Sequence, residues 1–143
     1  MNPLKWMMNA FTVVSVFLYR STGGLLGGRI RGFNVLLLTT TGRKTGRQRT
    51  TPLGYLREGD SYVIIASNAG QKRNPGWYFN LQQNPLVQVQ IGGRVLNARA
   101  LTAQGDQRRQ LWSRVVAEMP GYANYQKHTQ REIPLVVLTP VEK

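Results

Sequence analysis

Apolar positions at helical spacing mark the first segment of the chain. They recur at i, i+3 and i+4 from Leu4 to Leu18, which predicts an amphipathic helix over residues 5–20. Residues 33–41 (FNVLLLTTT) form a continuous apolar run, typical of a strand buried on both faces. Residues 50–57 and 61–67 predict two more strands, joined by a hairpin turn at Glu58-Gly59-Asp60.

The central part of the chain alternates between helix signals and strand signals. Asn74-Pro75 predicts a helix start, with Asn as the cap and Pro at the first helical position, and Asn84-Pro85 predicts its end. Val87, Val89 and Ile91 alternate with glutamines, as in a half-buried strand. Gly92-Gly93 then predicts a turn into a strand over residues 94–102.

The last third predicts two helical stretches and a final strand. Residues 107–119 place Leu111, Val115 and Met119 on one helical face, and Pro120-Gly121 ends that helix. A short helical stretch over residues 122–129 and a strand over residues 133–138 follow. Five or six hairpin-connected strands with few helices favour a mainly β (α+β) fold, an antiparallel barrel with peripheral helices. The 143 residues suit one domain, 1–143.

The N-terminal helix leaves several interpretations open. It is too short to cross a hydrocarbon layer of ~30 Å. It could pack on the barrel, or lie on a membrane surface between Lys5 and Arg20, or belong to a signal peptide, although no A-x-A-like cleavage site follows it. Glycines 23, 24, 27 and 28 predict a flexible connection after it.

Charge and cysteine content narrow the possible chemistry. The formal net charge is +13, which implies an anionic partner: nucleic acid, a membrane surface or an acidic small molecule. The chain has no cysteine, so disulfides, thiol catalysis and thiolate metal sites are excluded. The six acidic residues form no pair suited to hydrolysis. An enzyme of this composition needs an external cofactor.

A basic turn is the first candidate site. Residues 39–53 (TTTGRKTGRQRTTPL) carry Arg43, Lys44, Arg47 and Arg49 around two glycines, which allow close backbone approach to a phosphate or carboxylate. The spacing is not that of a P-loop. The same residues could also form a solvated hairpin tip.

A strand end followed by a helix start is the second candidate site. Residues 66–80 (ASNAGQKRNPGWYFN) place Lys72 and Arg73 just before a helix N-terminus, a common position for anions and planar ligands. Trp77 and Tyr78 could contact a flat ring or simply belong to the core.

An aromatic helix face is the third candidate site. Tyr122 and Tyr125 lie one turn apart and could form the wall of a substrate pocket, with a phenol as hydrogen-bond donor. His128 lies one turn further; a lone histidine is more often structural or at the surface. One histidine without cysteine does not favour a zinc site.

Taken together, these segments resemble the deazaflavin (F420)-dependent nitroreductases, also called F420H2-dependent quinone reductases. GRKTG, NPGWYFNLQQNP, VQVQI and IPLVV occur in the family's order between about Tyr19 and Pro140. The resemblance implies a split β-barrel of about six antiparallel strands that binds coenzyme F420. It also implies hydride transfer from the reduced cofactor to a quinone, a nitroaromatic or an activated enone.

The resemblance also assigns roles to residues. Arg43, Lys44 and Arg49 would hold the cofactor's phosphate and glutamate tail, and Ser67, Trp77 and Asn80 would lie near the deazaflavin. Tyr122 and Tyr125 would face the acceptor, and we expect Ser67 and Tyr122 to donate to its oxygen. The further expected cofactor contacts are Pro52, Ala66, Asn68, Lys72 and Arg73. Asn68 stands where the best-known family member has Lys, and Met119 where it has a pocket tyrosine.

Three alternatives remain at this point: a non-catalytic deazaflavin carrier, a flavin mononucleotide oxidoreductase on the same barrel, and a nucleic-acid binder. The last is disfavoured because the arginines are scattered and no RRM or KH signature occurs. We therefore expect a small-molecule acceptor and no nucleic acid. A cytoplasmic location, peripheral membrane contact through the N-terminal helix and a homodimer are further expectations.

Overall fold

A computed structural model of the protein describes residues 3–24, 29–30 and 33–141. Within these residues the chain forms seven strands, four α-helices and a 3₁₀ turn at Asn68–Gly70. The helices are α1 Pro3–Thr22, α2 Gly76–Gln83, α3 Gly105–Glu118 and α4 Gly121–Lys127. The strands are β1 Arg29–Ile30, β2 Phe33–Thr41, β3 Gln48–Glu58, β4 Ser61–Ile65, β5 Leu86–Ile91, β6 Arg94–Thr102 and β7 Leu135–Pro140.

Six of the strands close into an antiparallel barrel in the order β2-β3-β4-β7-β6-β5, and the pairing of β2 with β5 completes it. The short β1 extends the sheet beside β2. Two hairpins turn through two residues each, and Gly59 and Gly92 adopt a φ of 59° there, as such tight turns require. The predicted six-stranded barrel is therefore confirmed.

The barrel interior is filled by the alternate residues of its strands. Leu36, Ile64, Val89 and Val136 are fully buried, and α2 contributes aromatic and aliphatic side chains to the same cluster, including Trp77. Because α2 closes one end of the barrel, its first turn and its polar residues lie next to the strand ends. This arrangement positions the candidate site described below.

Two further clusters cover the outer faces of the sheet. Leu111 and Val115 of α3 pack against Val63 and Leu135, with Met119 at the helix end, as the predicted helical face required. On the other side, Tyr19 of α1 packs against Val35 and Leu37. Because α1 covers the outer face of β2, residues 35–40 are buried on both faces, as predicted.

The C-terminal end of α1 is tied to the β5–β6 turn. The Tyr19 hydroxyl accepts a hydrogen bond from the Gly92 N–H at 2.8 Å and donates to the Gln90 carbonyl at 3.3 Å. Gly24 lies so close that a Cβ there would stand 2.8 Å from the Gly92 Cα. The prediction that the helix packs on the barrel is confirmed. Over residues 3–24, 29–30 and 33–141, no helix is long and apolar enough to cross a membrane.

Several predicted boundaries were wrong. The strand predicted over residues 61–67 ends at Ile65, and the last strand begins at Leu135 rather than 133. The short β1 was not predicted at all. The predicted glycine connection lies partly outside the described residues.

The predicted asparagine cap of α2 was also wrong. The helix begins at Gly76, and Pro75 precedes it in an extended conformation with ψ 155° and without a side-chain cap. The Asn74 carbonyl oxygen Oδ1 instead accepts a hydrogen bond from Arg131 at 2.7 Å, which takes the side chain away from the helix start.

Candidate functional site

An open cleft of about 620 Å³ lies between the β2–β3 turn and the N-terminal end of α2. Its volume is within the range of small-molecule sites. The residues that line it come from two separated stretches of sequence: Gly42, Arg43, Lys44, Thr45, Arg49, Thr51, Gly76, Trp77 and Asn80. The fold therefore joins the basic turn and the helix start, which were recognised separately in the sequence.

Asn80 connects the two sides of this cleft. Its Oδ1 accepts hydrogen bonds from the Arg43 backbone N–H at 3.2 Å and from the Arg43 Nη1 at 3.0 Å. Its Nδ2 donates to the Thr40 hydroxyl at 3.1 Å. The Asn80 side chain is buried, so these bonds replace the water that it has lost. Asn80 in α2 thus holds the basic turn between β2 and β3 in place.

The Arg43 guanidinium is held by further contacts. Its Nη1 donates to the Gly76 carbonyl at 3.3 Å, and its Cζ lies 5.2 Å from the centre of the Phe79 ring. The turn that carries it is tight at Gly42, where a Cβ would stand 2.9 Å from the Arg47 carbonyl oxygen. A cation in this position is pre-oriented, so less side-chain entropy is lost when an anion binds.

The basic turn carries charge that nearby carboxylates do not compensate. Four of the six acidic residues pair elsewhere: Arg114 contacts Glu58 and Glu118, Arg109 contacts Asp106, and Arg108 contacts Glu132 at 3.0 Å. Within the described residues, no ion pair involves Arg43, Lys44 or Arg49. The cleft therefore has the electrostatic character of an anion site.

The loop after β4 has an unusual backbone. Asn68 and Ala69 adopt φ values of 47° and 55°, in the left-handed region that side chains other than glycine rarely adopt. Asn is tolerated there better than Lys, which gives a local reason for Asn at position 68. Its Nδ2 donates to the Arg73 carbonyl at 2.9 Å, and the preceding Ser67 is buried.

The two tyrosines of α4 form a separate aromatic contact. The Tyr122 and Tyr125 rings pack edge to face with their centres 5.8 Å apart, as their spacing predicted, and both lie against the outer cluster of α3 and β7. Burial and the nearby Tyr125 raise the pKa of the Tyr122 phenol above its ordinary value. Met119 is buried in the same cluster and offers no polar group.

The structure brings together only part of the predicted set. Arg43, Lys44, Arg49, Trp77 and Asn80 share one cleft. Tyr122 and Tyr125 do not line it; α4 reaches the 66–74 loop through the backbone of Tyr125, against which Gly70 packs. None of the other predicted contacts lines the cleft: Ala66 and Ser67 are buried just after β4, Asn68, Lys72 and Arg73 lie on the loop that follows, and Pro52 is half-buried on β3.

Several residues of the cleft were missed by sequence reasoning. Thr51 lines it from β3, and Gly76 offers its carbonyl to Arg43. The buried partner of Asn80 is Thr40, and the sequence gives no reason to pair this threonine with α2. Arg131 also contacts the 66–74 loop. No local sequence pattern indicates this contact, because its partner Gln71 is 60 residues away in the chain.

Residues 12–140 match the family model of the F420H(2)-dependent quinone reductases. The chain is 45% identical over 126 residues to an F420H(2)-dependent quinone reductase of Mycobacterium tuberculosis H37Rv, covering 85% of each chain. A solved F420H2-dependent reductase superposes with TM-score 0.67 and 40% identity, covering 73% of this chain and 92% of that one. A solved domain-swapped dimer gives TM-score 0.71 and 33% identity, covering 96% and 99%. The split barrel with its basic cleft thus belongs to the F420H(2)-dependent quinone reductase family.

Proposed function

We propose that this protein oxidises reduced coenzyme F420 and transfers the hydride to a quinone, with the cofactor held in the cleft between the basic turn and α2. The observation that carries this proposal is the group of Arg43, Lys44 and Arg49 around one cleft, without a carboxylate partner in the described chain. Family membership supplies the cofactor class.

The residues of the cleft fit an anionic cofactor. Two guanidinium groups and one ammonium group can pair with phosphate and carboxylate oxygens, and arginine can do so through two parallel hydrogen bonds. Trp77 lines the same cleft and is mostly buried, so it presents an edge of apolar surface to a planar ring. The hydrogen-bonded Asn80 keeps Arg43 in place on the cofactor side.

When bound, reduced F420 supplies a hydride, so two electrons move together and the protein needs no redox residue of its own. The protein's contribution is to hold the two reacting partners about 3–3.5 Å apart. A quinone that accepts the hydride also takes up a proton at oxygen. We assign Ser67, which follows β4, and Tyr122 of α4 as the hydrogen-bond donors to that oxygen. Tyr125 supports the ring of Tyr122.

Tyr122 carries a phenol, which is protonated at neutral pH whether or not burial raises its pKa. A phenol that remains protonated can donate a hydrogen bond to the negative charge that develops on the acceptor oxygen. The backbone of Tyr125 in α4 contacts Gly70 in the 66–74 loop, so α4 lies next to the segment that carries Ser67.

Steady-state oxidation of F420H2 with menadione as a soluble quinone tests this function. We expect saturable turnover that depends on both substrates. The variant R49A should raise KM for F420H2, whereas R99A, which removes an exposed arginine on β6, should leave KM unchanged. The absence of quinone-dependent F420H2 oxidation in the wild-type protein would refute the proposal. Nitroaromatics and enones in the same assay define the acceptor range.

We also propose that the protein contacts the cytoplasmic membrane surface through α1. One face of the helix packs on the barrel, and the other exposes Val13 by 67%, Val14 by 55%, Phe17 by 66% and Leu18 by 38%. An exposed apolar stripe on a chain with net charge +13 is suited to an anionic bilayer surface. Lipid-soluble quinones would be reached directly from this position.

Vesicle co-sedimentation tests the membrane contact. We expect wild-type protein to pellet with anionic vesicles and the variant F17S to remain largely in the supernatant. L101S serves as the matched control because Leu101, on β6, is similarly exposed, by 64%, outside the helix. Equal sedimentation of wild type and F17S would contradict the proposal.

The homodimer stays a proposal supported by one relative, the solved domain-swapped dimer at 33% identity. Sedimentation equilibrium over a range of concentrations tests it directly. A mass near 32 kDa, twice the 16.1 kDa of the chain, would support a dimer, and a mass of one chain at all concentrations would refute it.

A further inference from the structure

We propose that Arg131 is a positioning residue for the reaction: its guanidinium fastens the 66–74 loop and so fixes the backbone that carries Ser67. The inference rests on the proposed function only for the role of Ser67. The hydrogen bonds between Arg131 and the loop do not depend on that role.

Arg131 donates to both ends of the loop. Its Nη2 donates to the Ser67 carbonyl at 2.6 Å and its Nη1 to the Ala66 carbonyl at 3.2 Å. Its Nε donates to the Gln71 carbonyl at 3.0 Å, and Nη1 also reaches Asn74 Oδ1 at 2.7 Å. One planar group thus joins the end of β4, the middle of the loop and the residues before α2. Lysine lacks this planar set of donors.

The loop needs such support because its own backbone is strained. Left-handed conformations at residues other than glycine, here Asn68 and Ala69, are unfavourable and persist only where the surroundings impose them. Inside the turn, backbone hydrogen bonds run from the Gly70 N–H to the Ser67 carbonyl at 2.9 Å and from the Gln71 N–H to the Asn68 carbonyl at 3.1 Å. Arg131 binds the carbonyl of Ser67, at the base of this strained turn.

The electrostatic surroundings of Arg131 agree with a role in hydrogen bonding to the loop. All four of its acceptors are neutral, whereas the adjacent Glu132 pairs with Arg108 at 3.0 Å. Burial lowers the pKa of the Arg131 guanidinium, so its placement beside the loop carries a desolvation cost that the hydrogen bonds to carbonyl groups offset.

A second contact, from α4, packs against the same loop. Gly70 has φ 77°, and a Cβ there would stand 3.0 Å from the Tyr125 carbonyl oxygen. Arg131 follows α4 in the chain, so the loop is held both by the helix and by the segment that leaves it. The helix that carries the proposed acceptor tyrosines is therefore in contact with the loop that carries Ser67, and removing the Arg131 hydrogen bonds should change their relative orientation.

Amide hydrogen exchange of the cofactor-free protein tests the fastening without any activity. We expect R131Q to exchange the amides of Gly70 and Gln71 at least about tenfold faster than wild type, since local opening then costs less free energy. The barrel strands should remain protected. R131K should lie between the two. R108Q is the matched control, because Arg108 donates to the neighbouring Ile133 carbonyl at 2.8 Å without an observed bond to the loop. Unchanged loop exchange in R131Q would overturn the inference.

Kinetics with F420H2 and menadione separate positioning from simple stability. R131Q should lower kcat by about tenfold or more, because a small misplacement of a reacting group is costly. KM for F420H2 should change little, since the basic turn is intact. In a double-mutant cycle, R131Q should add little to the loss already caused by S67A. Full additivity would contradict action through Ser67. If wild-type protein shows no turnover, the proposed function fails, and the exchange experiment still decides the fastening.

Discussion

The side chain of Asn80 binds Arg43 twice, at its backbone N–H and at its guanidinium, across 37 residues of sequence. The same amide donates to Thr40 on β2, so a single buried group links a strand, the basic turn and α2. The orientation of the cationic turn therefore depends on the position of the helix. Binding and stability should respond together when this link is removed.

Removal of the amide gives the first prediction. The variant N80A should weaken F420 binding by about tenfold, since Arg43 loses its orientation, and should lower the free energy of unfolding by about 1–3 kcal/mol because buried hydrogen-bond partners lose their contacts. Fluorescence titration and urea unfolding measure the two effects. N84A is the control. Asn84 is exposed at the end of the same helix, so this variant should change F420 binding and the free energy of unfolding much less than N80A does.

The cations of the basic turn give the second prediction. Removing Arg43, Lys44 or Arg49 singly should raise Kd for F420 by about tenfold or more, because a hydrogen bond to a charged group contributes about 1.5–3 kcal/mol. Binding should also weaken as salt is added. R94A, on the β5–β6 hairpin, should leave Kd unchanged. If all three turn variants bind like wild type, the anion site lies elsewhere.

The proposed oxygen donors give the third prediction. S67A and Y122F should each lower kcat/KM for quinone reduction by about tenfold or more, as expected for the loss of a hydrogen bond to developing charge. Y125F should have a smaller effect because it retains the ring that packs on Tyr122. The assignment is wrong if S67A and Y122F both keep the wild-type kcat/KM.

Buried tyrosines give the fourth prediction, on stability at alkaline pH. Burial raises the pKa of Tyr19, Tyr55 and Tyr122, so the folded state holds these protons more tightly than the unfolded state. The stability they contribute is complete below the unfolded pKa of about 10 and is lost as pH rises through the higher folded values. Urea unfolding at increasing pH should show this loss, and Y122F should reduce its slope. A stability that rises above pH 10 would contradict the assignment.

The local patterns of the sequence were sufficient for most of the fold. The alternation of Val87 and Val89 and the glycine turns gave strands and hairpins that the structure confirms. The failures occurred where a distant residue changes a local preference. Asn74 has the sequence of a helix cap, yet its side chain binds Arg131, with a separation of 57 residues. The end of β4 and the strained turn after it depend on the same distant arginine.

The candidate site was likewise only partly predictable from local sequence patterns. The charge pattern predicted Arg43, Lys44 and Arg49 as an anion-binding group, whereas Asn80 was expected at the site only from the family resemblance; the structure joins them in one cleft. The pairing of Asn80 with Thr40 could not be predicted because it depends on where α2 closes the barrel.

Fluorescence titration of the purified protein with oxidised F420, with flavin mononucleotide in parallel, tests the central claim most directly. We expect saturable binding of F420 that R49A weakens, and much weaker binding of flavin mononucleotide. Absence of F420 binding, or a preference for flavin mononucleotide, would contradict the assignment of the basic cleft to the deazaflavin.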